Sequence, residues 1–169
     1  MSGMDYRAIF SDAVEAFVRD YESGNVKLLT RRDLQAHLFH YCLKVLSTHQ
    51  SGQAPAVHCG VELSSPRDRV DLMLGSREVV VLVRLEPDYP GLSPSQKPFV
   101  FSDDIQRDFA HLRALCQGEV PYGFAVVLDE DGRHLRALPT VPWRKLTNGE
   151  REAYLLVQRF QSPDKNGLP

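Results

Sequence analysis

Apolar residues recur every three or four positions in two segments near the start of the chain. The first segment, 5–23, has its apolar positions at Ile9, Phe10, Ala13, Val14, Phe17, Val18 and Tyr21. The second begins at Thr30, whose hydroxyl can cap the free backbone amides while Asp33 supplies the acidic member of a capping box. This spacing predicts two amphipathic helices, the first of which ends at Gly24.

The pattern changes to short alternating or continuous apolar runs in AVHCGVEL, RVDLML and EVVVLVRLE. Such runs predict three strands. The connection of Gly75, Ser76 and Arg77 is short enough to join the last two strands as an antiparallel hairpin. Because the segment from Val79 to Val83 is continuously apolar, we expect a central strand that is covered on both faces.

The second half of the chain continues this alternation of helices and strands. Residues 86–98 are rich in proline and glycine and predict a long surface loop. Ser102 begins a third helix that stops near Gly118. A strand from Tyr122 and a return strand after the Asp131–Gly132 pair follow, and residues 147–161 predict a last helix. The chain, 1–169, is thus expected to form one α/β domain, with a mixed sheet flanked by helices.

The composition of the chain argues against a disordered, collagenous or disulfide-framework protein. The 169 residues are 43% hydrophobic and 25% charged, with a formal net charge of -2. There is no general basic field, so any nucleic-acid surface has to be local. Cys42, Cys59 and Cys116 form no CxxC pattern and predict neither a disulfide framework nor a cysteine zinc site. Without a targeting or membrane-spanning segment, we expect a cytoplasmic protein with no membrane partner.

A family resemblance lies in the segments GVELSSPRDRVDLML, EVVVLVRLE, DIQRDFAHLRAL and YGFAVVLDEDG. Together with the order helix, three strands, helix, strand, they resemble the core of the PD-(D/E)XK nucleases, the restriction-endonuclease-like superfamily, over about 30–138. The resemblance implies a restriction-endonuclease-like core, an aspartate that opens the second strand, and an acidic-x-lysine triplet on the third. In that family these carboxylates hold a divalent metal. Asp71 occupies the first of these positions.

The third strand departs from the family pattern. Counting back from the hairpin places Asp71 opposite Leu82, where the resemblance implies an acid, and Arg84 stands at the lysine position. Mg²⁺ needs oxygen ligands, so Leu82 marks a degenerate site. Arginine is no general base but can bind phosphate. Asp71 and Arg84 remain the candidate catalytic residues, and Leu82→Glu with Arg84→Lys is expected to restore Mg²⁺ affinity.

Glu62 is the acid that could compensate for the missing carboxylate. It precedes Asp71 by one strand and is either a second metal ligand or an edge carboxylate paired with Arg67 or Arg69. Some relatives also contribute a polar site residue from the preceding helix. There Asp33 is expected to cap the helix and Gln35 to be solvated.

The arginines provide the candidate contacts to phosphate. Arg67, Arg69 and Arg84 are expected to bind phosphate if the family topology holds. The same topology would bring them to one end of the sheet together with Arg31, Arg32 and Arg77. The alternative is that these arginines are dispersed over the surface and balanced by acids. Tyr89 and Phe99 in the long loop offer either base stacking or ordinary packing.

Three functions remain open, and the first is favoured. The protein is a nuclease-like domain that has lost efficient metal-dependent cleavage and is retained, without a cofactor, for DNA-associated or RNA-associated binding or assembly. Alternatively, it is an active Mg²⁺-dependent nuclease that uses Asp71 and Glu62, with Arg84 on the phosphate. The third function is a protein-interaction module or homodimer, because the apolar stripe of the first helix needs a cover, either in the domain or across an interface.

Overall fold

The computed structural model describes residues 4–49, 56–64, 68–88, 100 and 102–163. Arg67, Tyr89, Phe99 and most of the proline-rich loop lie outside these residues. No helix in the described part of the chain is long and apolar enough to span a membrane. The elements in chain order are α1 (Tyr6–Glu22), α2 (Arg31–His49), β1 (Val57–Glu62), β2 (Arg69–Leu74), β3 (Val79–Glu86), α3 (Ser102–Gly118), β4 (Tyr122–Asp129), α4 (Arg133–Ala137), β5 (Arg144–Asn148) and β6 (Arg151–Gln161).

The six strands form one mixed sheet in the order β1-β2-β3-β4-β6-β5. β3 and β4 are parallel, and every other neighbouring pair is antiparallel. Parallel strands need a long crossover connection, and α3 lies in the connection from β3 to β4. The predicted class, a mixed sheet flanked by helices, is confirmed.

Helices α1 and α2 cover one face of the sheet. The whole apolar stripe of α1 is buried in a cluster with Leu34 and Leu38 of α2 and with Leu72, Val81 and Val83 of the sheet. At the start of α2 the predicted capping box is present, because the Asp33 carboxylate accepts the Thr30 N–H (2.8 Å) and the Thr30 hydroxyl accepts the Asp33 N–H (3.3 Å). The α1 stripe is therefore covered within the chain.

Helix α3 covers the other face of the sheet. Its residues Ile105, Phe109 and Leu112 form a second cluster with Val80 and Leu82 of β3. β3 thus has an apolar cluster on each face, as the continuous run from Val79 predicts. The sheet separates the residues that contact α2 from those that contact α3.

The predicted C-terminal helix over 147–161 is wrong, because this segment forms the β5–β6 hairpin. Gly149 lies in the turn with φ +64°, a left-handed conformation that glycine adopts without strain. Leu146 and Leu155 pack on the α1 and α2 face, whereas Leu156 packs on the α3 face. Successive residues on opposite faces fit a strand and not a helix.

The predicted return strand after Asp131–Gly132 is also wrong. Gly132 has the expected positive φ, +70°, but the chain continues into the short helix α4. The buried Asp129 carboxylate accepts the N–H groups of Arg133 (3.3 Å), His134 (2.8 Å) and Leu135 (3.2 Å). These bonds stabilise a helical start, and the edge of β4 that a return strand would need is taken by β6.

Candidate functional site

Asp71 lies where the alternation of side chains along β2 is interrupted. Val70 packs in the cluster under α3, whereas Leu72 packs in the cluster under α1 and α2. In a regular strand these two residues would share a face. The β2–β3 register runs from Leu74↔Val79 to Leu72↔Val81, as the hairpin predicts, and Asp71 follows one residue beyond the last of these pairs.

The Asp71 carboxylate is bound by an arginine and by the backbone of β3. Arg31 Nη2 donates to both carboxylate oxygens, at 2.5 and 2.6 Å. The N–H of Val83 donates to Oδ2 at 2.8 Å. Gln35, one helical turn after Arg31, donates from Nε2 to the Asp71 carbonyl oxygen at 2.7 Å. Asp71 is therefore tied to both α2 and β3.

A cleft of about 680 Å³ opens beside this ion pair. Gly60 of β1 shapes this cleft. Its φ is +62°, and its lack of a side chain leaves room for the guanidinium of Arg69. A Cβ at this position would lie 3.2 Å from Arg69 Nη2. The cleft is lined by Thr30, Arg31, Arg32, Gln35, Gly60, Arg69 and Asp71.

Positive charge dominates this cleft, which we call the arginine cleft. Arg31, Arg32 and Arg69 line it together with one acid, Asp71. Within the described residues, neither Arg32 nor Arg69 has a carboxylate within 4.0 Å. A chain with a net charge of -2 thus carries a local basic site. Guanidinium groups suit phosphate and carboxylate because their N–H groups form a planar fork.

Arg84 does not join Asp71 in this cleft. Its Nε and Nη2 donate to the two oxygens of Asp108 on α3, at 2.6 and 2.8 Å. The hydrogen bond to Asp108 raises the pKa of Arg84 despite its burial. Leu82 packs in the apolar cluster on the α3 side. The sequence-based expectation of one pocket that holds Asp71, Leu82 and Arg84 is replaced by two ion pairs, one with each helix.

Glu62 is exposed and lies opposite Arg69 in the β1–β2 register, outside the lining of the arginine cleft. Among the described residues, no group of three or more His, Cys, Asp and Glu side chains is arranged to hold a metal ion. Cys59 is nearby in β1, where burial and then the negative charge of Asp71 raise the pKa of its thiol.

Sequence reasoning missed two partners, one in the arginine cleft and one in the ion pair on the opposite face of the sheet. Gln35, expected to be solvated, binds the Asp71 backbone, and Asp108 binds Arg84. The spacing of Arg31 and Gln35 was the available signal, since residues four apart lie on one face of a helix. No comparable signal indicates Asp108, because its partner lies 24 residues away on another element.

A second cluster of buried polar side chains lies at the carboxyl ends of β3 and β4. Glu86 accepts the N–H of Val100 at 2.7 Å, and its Oε2 lies 3.5 Å from His134 Nε2. Burial raises the pKa of Asp129 to about 6, and a hydrogen bond to Asp131 adds to this effect against the backbone N–H donors. These groups bind the backbone of the segments that follow the strands, and they are not open to a ligand, since Glu86, Asp129 and His134 are all buried.

A comparison of the chain with protein-family models, curated proteins and solved structures finds no match. The chemistry of the arginine cleft is therefore derived from its own residues. Its guanidinium groups can bind an anion. Its one carboxylate is already paired with Arg31, so anion binding is the chemistry that the arrangement supports best.

Proposed function

We propose that this protein is a nuclease-like domain that binds the phosphate backbone of DNA or RNA in the arginine cleft and does not cleave it. The observation that carries the proposal is the charge of the cleft: within the described residues Arg32 and Arg69 have no carboxylate within 4.0 Å, and the one lining acid, Asp71, is already paired with Arg31. The order of α2, β1, β2, β3, α3 and β4, with β3 and β4 parallel, supports the nuclease-like assignment.

The contacts of Asp71 favour binding over cleavage. A cation at this carboxylate would have to displace the Arg31 guanidinium, and β3 supplies the backbone N–H of Val83 at this point instead of a second carboxylate. Mg²⁺ retains several waters but needs carboxylate or phosphate oxygens. A nuclease that uses Asp71 and Glu62 would require both a freed Asp71 and a repositioned Glu62.

The exposed arginines favour an extended polyanion. Arg32 and Arg69 are exposed, and the Arg31 side chain is 44% exposed although it is paired. Contacts of this kind to phosphate oxygens give affinity without sequence specificity. We also place the protein in the cytoplasm, because the free thiols of Cys42, Cys59 and Cys116 suit a reducing compartment.

The test measures the binding of fluorescently labelled DNA and RNA of about 20 nucleotides by anisotropy at low salt, where backbone contacts are strongest. We expect the wild type to bind and Arg32→Gln with Arg69→Gln to weaken binding by about tenfold or more. The matched control is Arg107→Gln with Arg144→Gln, which removes the same charge from exposed positions outside the cleft. No binding by the wild type, or an equal loss in the control, would refute the proposal.

Incubation of the same nucleic acids with Mn²⁺ or Mg²⁺ tests the absence of cleavage. We expect intact substrate at all times. Cleavage that disappears in Asp71→Ala would establish the metal-dependent alternative instead.

A further inference from the structure

Arg31 differs from the other two arginines of the cleft because an internal anion already occupies it. Its Nη2 contacts both oxygens of Asp71, whereas Arg32 and Arg69 have no carboxylate within 4.0 Å among the described residues. A carboxylate and a phosphate use the same donors of a guanidinium. A ligand phosphate and Asp71 therefore compete for the Nη2 donors and for the positive charge of Arg31.

Asp71 is held in place independently of Arg31. The N–H of Val83 binds its carboxylate, and Gln35 binds its carbonyl oxygen. The Asp71 side chain is also 12% exposed against 44% for Arg31, so it is the less accessible partner of the pair. The competing anion remains at the wall of the cleft whether or not a ligand is present.

We infer that Asp71 is an internal competitor that occupies Arg31 and limits the affinity of the arginine cleft for phosphate. This inference rests on the proposed function. The wild-type cleft binds phosphate mainly through Arg32 and Arg69, and the removal of the Asp71 charge adds Arg31 to the contacts. A residue that the family resemblance implies to be a metal ligand thus has an opposite effect, since its loss strengthens binding.

The test is a gain of affinity in Asp71→Asn, which an unfolded protein cannot show. Asparagine retains a side-chain oxygen to accept the Val83 N–H. In buffer without divalent metal, we expect Asp71→Asn to bind the labelled single-stranded DNA about fivefold more tightly than the wild type. The slope of log affinity against log salt concentration should steepen by about 0.7, the value for one additional phosphate contact on a single strand.

Two further variants distinguish a specific release of Arg31 from a general change of charge. Asp108→Asn removes the same charge and frees Arg84 on the opposite face of the sheet, so we expect no gain. Arg31→Gln combined with Asp71→Asn should lose the gain seen in Asp71→Asn.

Each result decides the inference separately from the proposed function. Binding by the wild type without a gain in Asp71→Asn would overturn the inference and leave the proposed function standing. An equal gain in Asp108→Asn, or a gain that persists without Arg31, would also overturn it. If neither the wild type nor Asp71→Asn binds DNA or RNA, both proposals are wrong.

Discussion

Glu86 and Asp129 lie directly opposite each other at the ends of the parallel strands β3 and β4, and both carboxyl groups are buried. Such a pair has a cost, because burial disfavours the charged form of an acid. For Asp129 this cost is visible in a pKa raised to about 6, with the hydrogen bond to Asp131 as the second cause.

The pKa of Asp129 predicts how stability depends on pH. A carboxyl group whose pKa is higher in the folded state contributes stability that is full below the unfolded value of 3.8 and is lost as the pH rises through about 6. When the pH is lowered from 7 to 5, the free energy of unfolding of the wild type should therefore rise by about 1 kcal/mol relative to that of Asp129→Asn. Urea unfolding of both proteins at the two pH values measures this difference. A constant difference between the two proteins would contradict the prediction.

Introducing the acidic-x-lysine triplet at positions 82–84 should fail to create a metal site. Leu82 lies in the apolar cluster under α3, and Arg84 is paired with Asp108. We expect Leu82→Glu with Arg84→Lys to show no Mg²⁺ binding by calorimetry, in contrast to the expectation from the sequence. The buried glutamate should cost on the order of 3 kcal/mol of stability. Leu82→Gln with Arg84→Lys is the control, and Mg²⁺ binding by the glutamate variant alone would restore the earlier expectation.

Two glycines with nearly the same backbone conformation should respond differently to alanine. Gly75 and Gly149 have φ values of +66° and +64°. A Cβ at Gly75 would clash with the Glu78 carboxylate and lie 2.7 Å from Tyr6 Cε2, whereas nothing lies within 4 Å of one at Gly149. We expect Gly149→Ala to cost about 1 kcal/mol from its backbone alone. Gly75→Ala should cost about 1 to 3 kcal/mol more. Equal costs in thermal or urea unfolding would show that the contacts of Gly75 relax freely.

The ion pair between Arg84 and Asp108 should contribute more to stability than an exposed pair. The side chains of Arg84 and Asp108 are 25% and 12% exposed, against 47% and 51% for Arg144 and Glu15. Loss of one partner from the less exposed pair leaves a poorly solvated charge. Asp108→Ala should therefore cost about 2 to 3 kcal/mol, and Glu15→Ala less than about 1 kcal/mol. Comparable costs for the two variants in urea would contradict this ranking.

The elements up to β4 could be predicted from the sequence because local patterns determine them. The helical spacing in α1, the capping box of Thr30 and Asp33, and the short connection before Val79 all agree with the structure. The C-terminal hairpin was missed because Thr147 and Glu150 match a capping box. Asn148 pairs with Arg151, so Gly149 and Glu150 form the turn, and a glycine of positive φ at the first position of a two-residue turn is the local signal for a hairpin.

The candidate site was predictable only in part. The register correctly places Leu74 opposite Val79, and a regular strand would then direct Asp71 to the same side as Leu82. The interruption of the alternation at Asp71 instead brings its carboxylate to Arg31 of α2. This interruption depends on Gly60 and on how both sheet faces pack. Such long-range packing has no local sequence signal.

The position of β6 between β4 and β5 has a consequence for aggregation. Residues 123–129 of β4 are all buried, and β6 covers one whole edge of that strand. A chain that ends before β5 would present this edge, with its unpaired N–H and C=O groups, to other molecules. Apolar edge strands of this kind template intermolecular pairing. Residues 144–161, which form β5 and β6, therefore cover an edge that would otherwise favour self-association, and during synthesis β4 is exposed until they have emerged.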